Sequence, residues 1–357
     1  MLKKSSTGAA ISAVVTVGIV GYGLSGSVFH GPFLKAHPGF RVKRIISSRK
    51  EATADFSEAQ ISNDYQSIIQ DQEIDLVIIC TPHFLHFQQA FEAIKAGKHV
   101  VIEKPVSTKS IEIEQLIQIS KETGAFLFPY HNRRWDSDFL TVKKLINENR
   151  LGSIHTFESR MERYSPLINR AVWRFNPEDG GGTLFDLGPH LVDQALHLFG
   201  KPKAVLALLS DQRGSGTNDA FDISLIYPEL NVRLKASLMC MEPGLRYIIH
   251  GSEGSFLKPG FDMQESRLRA GGLPADIGFG DEPEAFFGKL VTRQEKIISE
   301  GIFSSSTGNY MYFYDNVFSC LTQHGKAEIS PEDALLNIRI LEAASKSHQM
   351  GSVIYIE

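Results

Sequence analysis

Cysteine is scarce: three in 357 residues, at Cys80, Cys240 and Cys320. They lie far apart, form no CxxC, and have no histidine at metal-ligand spacing, which excludes a disulfide framework and argues against a zinc site. A reducing compartment, the cytoplasm, is the expected location. Positive charge is also short, with 37 Lys and Arg against 41 Asp and Glu and a formal net charge of −4. No bulk field invites nucleic acid or anionic lipid, so a small molecule is the expected partner. Long apolar runs are missing too. The stretch 9–20 is broken by Gly, Ser and Thr and falls short of the roughly 20 apolar residues that span a bilayer. With Lys3 and Lys4 before it, this stretch superficially copies a secretory signal, but it runs straight into a glycine-rich motif with no cleavage site between them, and cleavage there would remove a strand that the motif needs. The first dozen residues are read as a frayed leader. What is plentiful is core-forming material: 42% of residues are hydrophobic and 23 are Phe. At about 150 residues per domain, the length implies roughly two domains.

From about residue 14 to 130, short β-branched runs at 14–20, 42–47, 76–81, 99–103 and 125–130 alternate with helical periodicity at 25–36, 84–96 and 110–123. Strands separated by helices predict a parallel, doubly wound sheet of Rossmann type. Beyond residue 150 the rhythm changes. Runs at 154–163, 204–209, 221–227, 232–239, 246–250 and 255–258 follow one another with short turns, which predicts an open, mostly antiparallel sheet in an α+β domain. Helices are expected at 183–199, 310–324 and 331–349. Residues 259–308, rich in Gly, Ser and Pro, are expected to be loops with one short helix near 284–290. The expected division is 13–135 for cofactor binding, 136–330 for substrate and oligomer contacts, and 331–357 for a closing helix and strand. There are no internal repeats.

The first strand runs into Gly21-Tyr22-Gly23-Leu24-Ser25-Gly26, which opens a helix. In that context GxGxxG is a dinucleotide fingerprint. Gly21 permits the tight turn, Gly23 a close approach of the backbone to a pyrophosphate, and Gly26 close helix packing, with Leu24 and Ser25 in the same turn. An NAD enzyme usually carries an acid about 20 residues later, on the ribose hydroxyls. Here Ser47-Ser48-Arg49 stands instead. Arg49 suits a 2′-phosphate that a carboxylate would repel, so NADP(H) is expected over NAD(H).

Glu103-Lys104-Pro105 ends the fifth strand, and Asp186-Leu187-Gly188-Pro189-His190 opens the strongest helix candidate. Strand ends face the ligand crevice of such a sheet, so Lys104 should project toward a nicotinamide. On an unbroken helix the four-residue spacing puts Asp186 and His190 on one face, although Pro189 suggests that the helix begins or kinks there. Oxidation of a carbinol needs a base for the hydroxyl proton, and histidine suits that role near neutrality. Lys104 would stabilise alkoxide character, and Asp186 would anchor a hydroxyl or steer the imidazole. The stripe Asp186, His190, Asp193 and His197 is not read as a metal site, because hydride transfer to nicotinamide needs no ion. Asp193 is expected to support His190, Arg133 to line the pocket, and Tyr310 to reach substrate from an aromatic run otherwise read as core.

These motifs together resemble the Gfo/Idh/MocA family of NAD(P)-dependent oxidoreductases along essentially the whole chain: the glycine turn, Thr81-Pro82 with His86, Glu103-Lys104-Pro105, Trp173-Arg174 and Asp186-x-Gly188-x-His190. Residues 21–32 and 130–140 look most like the NADP-dependent scyllo-inositol dehydrogenase group. The resemblance implies Lys104 and His190 as the catalytic pair with Asp186 on substrate. It also implies cofactor contacts from Thr81, Pro82, His83, His86, Glu103 and Arg174, a cis Lys104-Pro105 peptide, a last helix that folds back on the first domain, and a homo-oligomer formed through the open sheet. The chain departs from the pattern at His83, where the family commonly has Asn. A cyclitol or sugar is the expected substrate. An aldose, a dihydrodiol, an imine, or a nucleotide-sensing role without turnover stay open.

Overall fold

The computed structural model describes residues 14–168 and 180–357 and contains two sheets. In the first, β1 (Val15–Val20), β2 (Phe40–Ile46), β3 (Gln60–Ser62), β4 (Leu76–Ile79), β5 (His99–Ile102) and β6 (Leu127–Pro129) are parallel in the order β3-β2-β1-β4-β5-β6. Every residue of β1 and β4 is buried, as expected of a parallel sheet covered by helices on both faces. The strand order reverses between β1 and β4. This switch point opens a crevice at the carboxyl ends of the strands, and the glycine turn stands on its edge.

The second sheet is mixed and mostly antiparallel: β7 (Ile154–Glu162), β8 (Ala204–Ser210), β9 (Ala220–Ile226), β10 (Asn231–Ser237), β11 (Tyr247–Gly251), β12 (Gly254–Lys258), β13 (Gly288–Gln294), β14 (Ile297–Phe303) and β15 (Ile354–Tyr355), in the order β14-β13-β12-β11-β7-β10-β9-β8-β15. Among its described pairs only β7 with β10 runs parallel. Period-2 alternation gives it one apolar face, with Val232, Leu234 and Ala236 of β10 buried while Arg233 and Lys235 look outward. Helices Gly188–Phe199 and Pro331–Met350 contribute to the core under the buried face. No helix among the described residues is long and apolar enough to cross a membrane.

Two expectations need correction. Residues 259–308 hold more than loops: a helix at Gln264–Arg269 and the hairpin β13–β14 stand among them, and the helix expected near 284–290 is a single 3-10 turn, Glu284–Phe286. Six of the seven residues of β14 are exposed, so its sequence has no in-out alternation to read. Its turn places Glu295 at φ 55°, without the Gly or Asn that usually signals such a reversal. The helix expected at 183–199 is broken into Thr183–Asp186 and Gly188–Phe199. Pro189 has no N–H to give the carbonyl four residues back, so the chain restarts with proline in the first helical turn.

The closing helix Pro331–Met350 leans on helix Ser110–Thr123 of the first layer, where Glu342 accepts from Ser110 N at 2.8 Å and Arg339 pairs with Glu114 at 2.6 Å. At the junction of the two sheets sits Arg134. It holds Asp193 with a two-pronged fork (2.9 and 2.7 Å), reaches Asp333 at 3.2 Å, and donates to the Glu328 carbonyl at 2.8 Å. The Arg134 and Asp193 side chains are only 7% and 3% exposed. Arg134→Met would strand the Asp193 carboxylate in the interior. Urea denaturation should then show a loss of about 3–5 kcal/mol.

Candidate active site

The glycine turn is built by exclusion. At Gly21, with φ +90°, an added Cβ would lie 2.9 Å from the Cys80 carbonyl, and at Gly26 a Cβ would lie 2.5 Å from the Gly21 carbonyl. At Gly23 a Cβ would meet nothing within 4 Å, so the backbone faces open space there. That is the cradle a pyrophosphate requires, and the residues present fit a dinucleotide. Leu24 stands 41% exposed beside it. The helix opens as one π-helical stretch, Ser25–His30, before Gly31–Ala36.

That π-helical stretch is tied to the end of β5. The Glu103 carboxylate accepts from the Ser25 hydroxyl, from His30 Nε2 at 3.1 Å and from the Lys104 N–H at 3.1 Å, while His30 Nδ1 lies 2.5 Å from the Tyr314 hydroxyl. Burial alone would push the Glu103 pKa up. The bonds from His30 and Ser25 and the Lys104 charge prevail and bring it down to about 2. Glu103, for which the resemblance implies a cofactor contact, thus braces the turn from behind. Because its folded value lies below the ordinary 4.5, its contribution to stability is complete above about pH 4.5 and disappears as the pH falls toward 2. Glu103→Gln should flatten the dependence of the urea midpoint on pH across that window.

At the far end of the turn, a pocket of about 280 Å³ follows β2, lined by Ser47, Ser48, Arg49, Lys50, Thr53, Ile61, Ser62 and Asn63. No carboxylate lines it. Arg49 N donates to Ser47 Oγ at 3.0 Å, which sets the turn. Lys50, Thr53, Ser62 and Asn63 are additions to the expected set. Lys50 was visible as a second cation beside Arg49, whereas Ser62 and Asn63 arrive only because the three-residue β3 pairs with β2.

The other side of the crevice carries the remaining motifs. Thr81 Oγ1 donates to Gln89 at 2.6 Å, and His83 begins the 3-10 turn His83–Leu85. His86 is buried, with its ring nitrogens 2.9 Å from the Thr81 carbonyl and 2.8 Å from the Pro105 carbonyl. It clamps the loops after β4 and β5 together rather than facing the crevice. Lys104-Pro105 is cis, and Lys104 Nζ donates to the Asp186 carbonyl at 2.7 Å and to its Oδ1 at 3.2 Å.

His190 is 6% exposed. Burial first, then the positive charges of Lys104 and Arg133 and the nearby His131 ring, press its pKa well below 6.5 against the opposing pull of Asp186. The imidazole is therefore neutral at physiological pH. Three expectations shift here. Asp193 does not support His190, because both of its oxygens are taken by Arg134. Tyr310 is fully buried with its hydroxyl donating to Asp136 at 2.6 Å, so it backs the pocket instead of entering it. Arg133 is close enough to influence His190 but is gripped by Asp136 at 3.2 Å and Glu265 at 2.5 Å. His131, buried at the end of β6, is a group that sequence reasoning missed. Trp173 and Arg174 lie outside the described residues.

Comparison with known proteins agrees with this architecture. Residues 15–131 match the family model "Oxidoreductase family, NAD-binding Rossmann fold", and residues 143–356 match "Oxidoreductase family, C-terminal alpha/beta domain". The chain is 41% identical over 345 residues to scyllo-inositol 2-dehydrogenase (NADP(+)) IolW of Bacillus subtilis, covering 96% of each chain. Among solved structures, the oxidoreductase yvaA of Bacillus subtilis superposes with a TM-score of 0.92 at 40% identity, over 96% of this chain and 100% of that one. The YPO2259 oxidoreductase of Yersinia pestis does so with a TM-score of 0.92 at 34% identity, over 98% and 99%. Two family models and near-complete coverage of a relative leave one assignment: the chain belongs to the Gfo/Idh/MocA family of oxidoreductases.

Proposed function

We propose that this oxidoreductase uses NADP(H) to move a hydride between the nicotinamide and a secondary alcohol carbon of a cyclitol or sugar. The observation that carries the proposal is the convergence, at the strand ends beside the glycine turn, of the Lys104 ammonium, the Asp186 carboxylate and a neutral buried His190. Gly21, Gly23, Leu24, Ser25 and Gly26 would hold the pyrophosphate, and Thr81, Pro82 and His83 would flank the nicotinamide. The bound dinucleotide supplies the acceptor for the hydride. In the oxidising direction the substrate hydroxyl sits between Lys104 and His190. His190 takes the O–H proton as the C–H bond gives up its electron pair, and the C–O bond becomes a carbonyl. Lys104, held in place by Asp186, stabilises the negative charge that grows on the oxygen. In reduction His190 returns the proton.

Four features support the finer parts of this reading. The pocket with Ser48, Arg49 and Lys50 and no carboxylate suits a 2′-phosphate, and the relative with 41% identity is named for NADP(+) and scyllo-inositol. The outward face of the second sheet, where Leu206 and Leu208 of β8 stand 40% and 64% exposed near the Lys235–Asp222 pair, suits a second copy of the chain. A cytoplasmic location fits the cysteine usage.

Lys104→Ala and His190→Ala should each lower kcat by about 10²–10⁴ with little change in NADP+ affinity by fluorescence titration, and near-normal turnover in both would sink the mechanism. The base must be neutral to accept a proton, and its pKa is depressed, so the acidic limb of kcat/KM for oxidation should lie below pH 6.5. Arg49→Ala should lower the ratio of kcat/KM for NADP+ over NAD+, and an unchanged ratio would remove the 2′-phosphate role.

A further inference from the structure

The closing helix passes behind the catalytic helix and places Asn337 against its first turn. Asn337 is 1% exposed, and its Nδ2 donates to the Pro189 carbonyl at 2.8 Å. The opposite amide orientation would press two oxygens together, so the donor assignment follows from the contact itself. This leaves the Asn337 Oδ1 buried without a hydrogen-bond partner, and the same is true of Nδ1 of His190, the residue after Pro189. Buried polar atoms are rarely left unsatisfied, and a native orphan calls for an explanation. These two are complementary, one an acceptor and the other able to carry a proton, and Asn337 is bonded to the carbonyl of the residue that precedes His190.

Among the described charged and titratable groups around it, none offers His190 Nδ1 a free acceptor. From β5 comes Lys104, and from the segment after β6 come Arg133 and His131. Two of these are cations, and all three lower the His190 pKa. From the preceding helix, Asp186 is engaged by Lys104. On its own helix, Asp193 has both oxygens on Arg134. Asn337 Oδ1, by contrast, is a buried acceptor with no partner.

We infer that Asn337 is a positioning residue for His190: its amide oxygen accepts the Nδ1–H through a small turn of the imidazole or one bridging water, leaving the Nε2 lone pair to take the substrate proton. The inference rests on His190 being the base. It assigns the closing helix a part in the chemistry, since Asn337 anchors the catalytic turn at Pro189 and selects the reactive tautomer. Once His190 is charged, the same bond becomes charge-assisted, so the amide oxygen favours the imidazolium.

The test compares the wild type with Asn337→Leu, which removes the acceptor, and Asn337→Asp, which charges it while giving up the bond to the Pro189 carbonyl. In full-length protein labelled with 15N-histidine, with the His190 signal assigned from a His190→Gln variant, the wild type should show the Nδ1-protonated tautomer. The titration midpoint of that signal should fall in the Leu variant and rise in the Asp variant. With scyllo-inositol and NADP+, the Leu variant should lose roughly 10- to 100-fold in kcat, part of the 10²–10⁴ that a positioned base supplies. KM and NADP+ affinity should stay within about twofold, and the acidic limb should follow the spectroscopic midpoint. Thermal melting checks that each variant folds, and if the Leu variant does not, the upward shift in the Asp variant still decides. An identical tautomer and midpoint in wild type and variants would overturn the role of Asn337. Full turnover in His190→Ala would overturn the proposed base while leaving the spectroscopic result standing, so the two failures are separable.

Discussion

The bond from the Lys104 ammonium to the main-chain carbonyl and carboxylate of Asp186 is the contact on which the rest depends. Lys104 follows β5 of the parallel sheet and Asp186 lies in the second domain, so one ion pair marks where the two meet. Everything around it serves to hold that meeting point. Behind Lys104, Glu103 fastens β5 to the glycine turn through Ser25 and His30. Beside it, His86 joins the loops after β4 and β5 through two backbone carbonyls. Behind Asp186, Arg134 ties helix Gly188–Phe199 and the closing helix to the segment after β6 through Asp193 and Asp333.

The site also shows why charges are buried here at some cost to stability. Arg134 with Asp193, and Arg246 with Asp138, are almost fully enclosed. Such pairs add little net stability over apolar packing. They do fix the direction in which side chains point, a precision that the proposed base would need to meet a hydroxyl. Burial, and after it the positive charges of Lys104 and Arg133, keep the His190 imidazole unprotonated and so able to accept a proton.

How much of this could be read from the sequence follows from whether a signal was local. The glycine turn was legible because each glycine answers a steric demand within a few residues, and the broken catalytic helix because Pro189 announces it. Lys104 and His190 were legible by their place at a strand end and a helix start. The hairpin β13–β14 was hidden because an exposed strand has no burial pattern. The partners of Asp193 and Tyr310 were hidden for a different reason: Arg134 is 59 positions from Asp193, and Asp136 is 174 from Tyr310. Nearness on a helix suggested that Asp193 would serve His190, but an arginine fork from another element is a stronger claim on a buried carboxylate. Ser62 and Asn63 reach the pocket beside Arg49 only through strand pairing, which composition does not foretell.

The most direct measurement is NADP+ reduction by the wild-type enzyme, followed as NADPH absorbance, across inositols, aldoses and non-hydroxylated alcohols, with NAD+ run in parallel. The account predicts turnover with a cyclitol or sugar, faster with NADP+ than with NAD+ and abolished by His190→Ala. Tight NADP+ binding with no reduction by any polyol would contradict it.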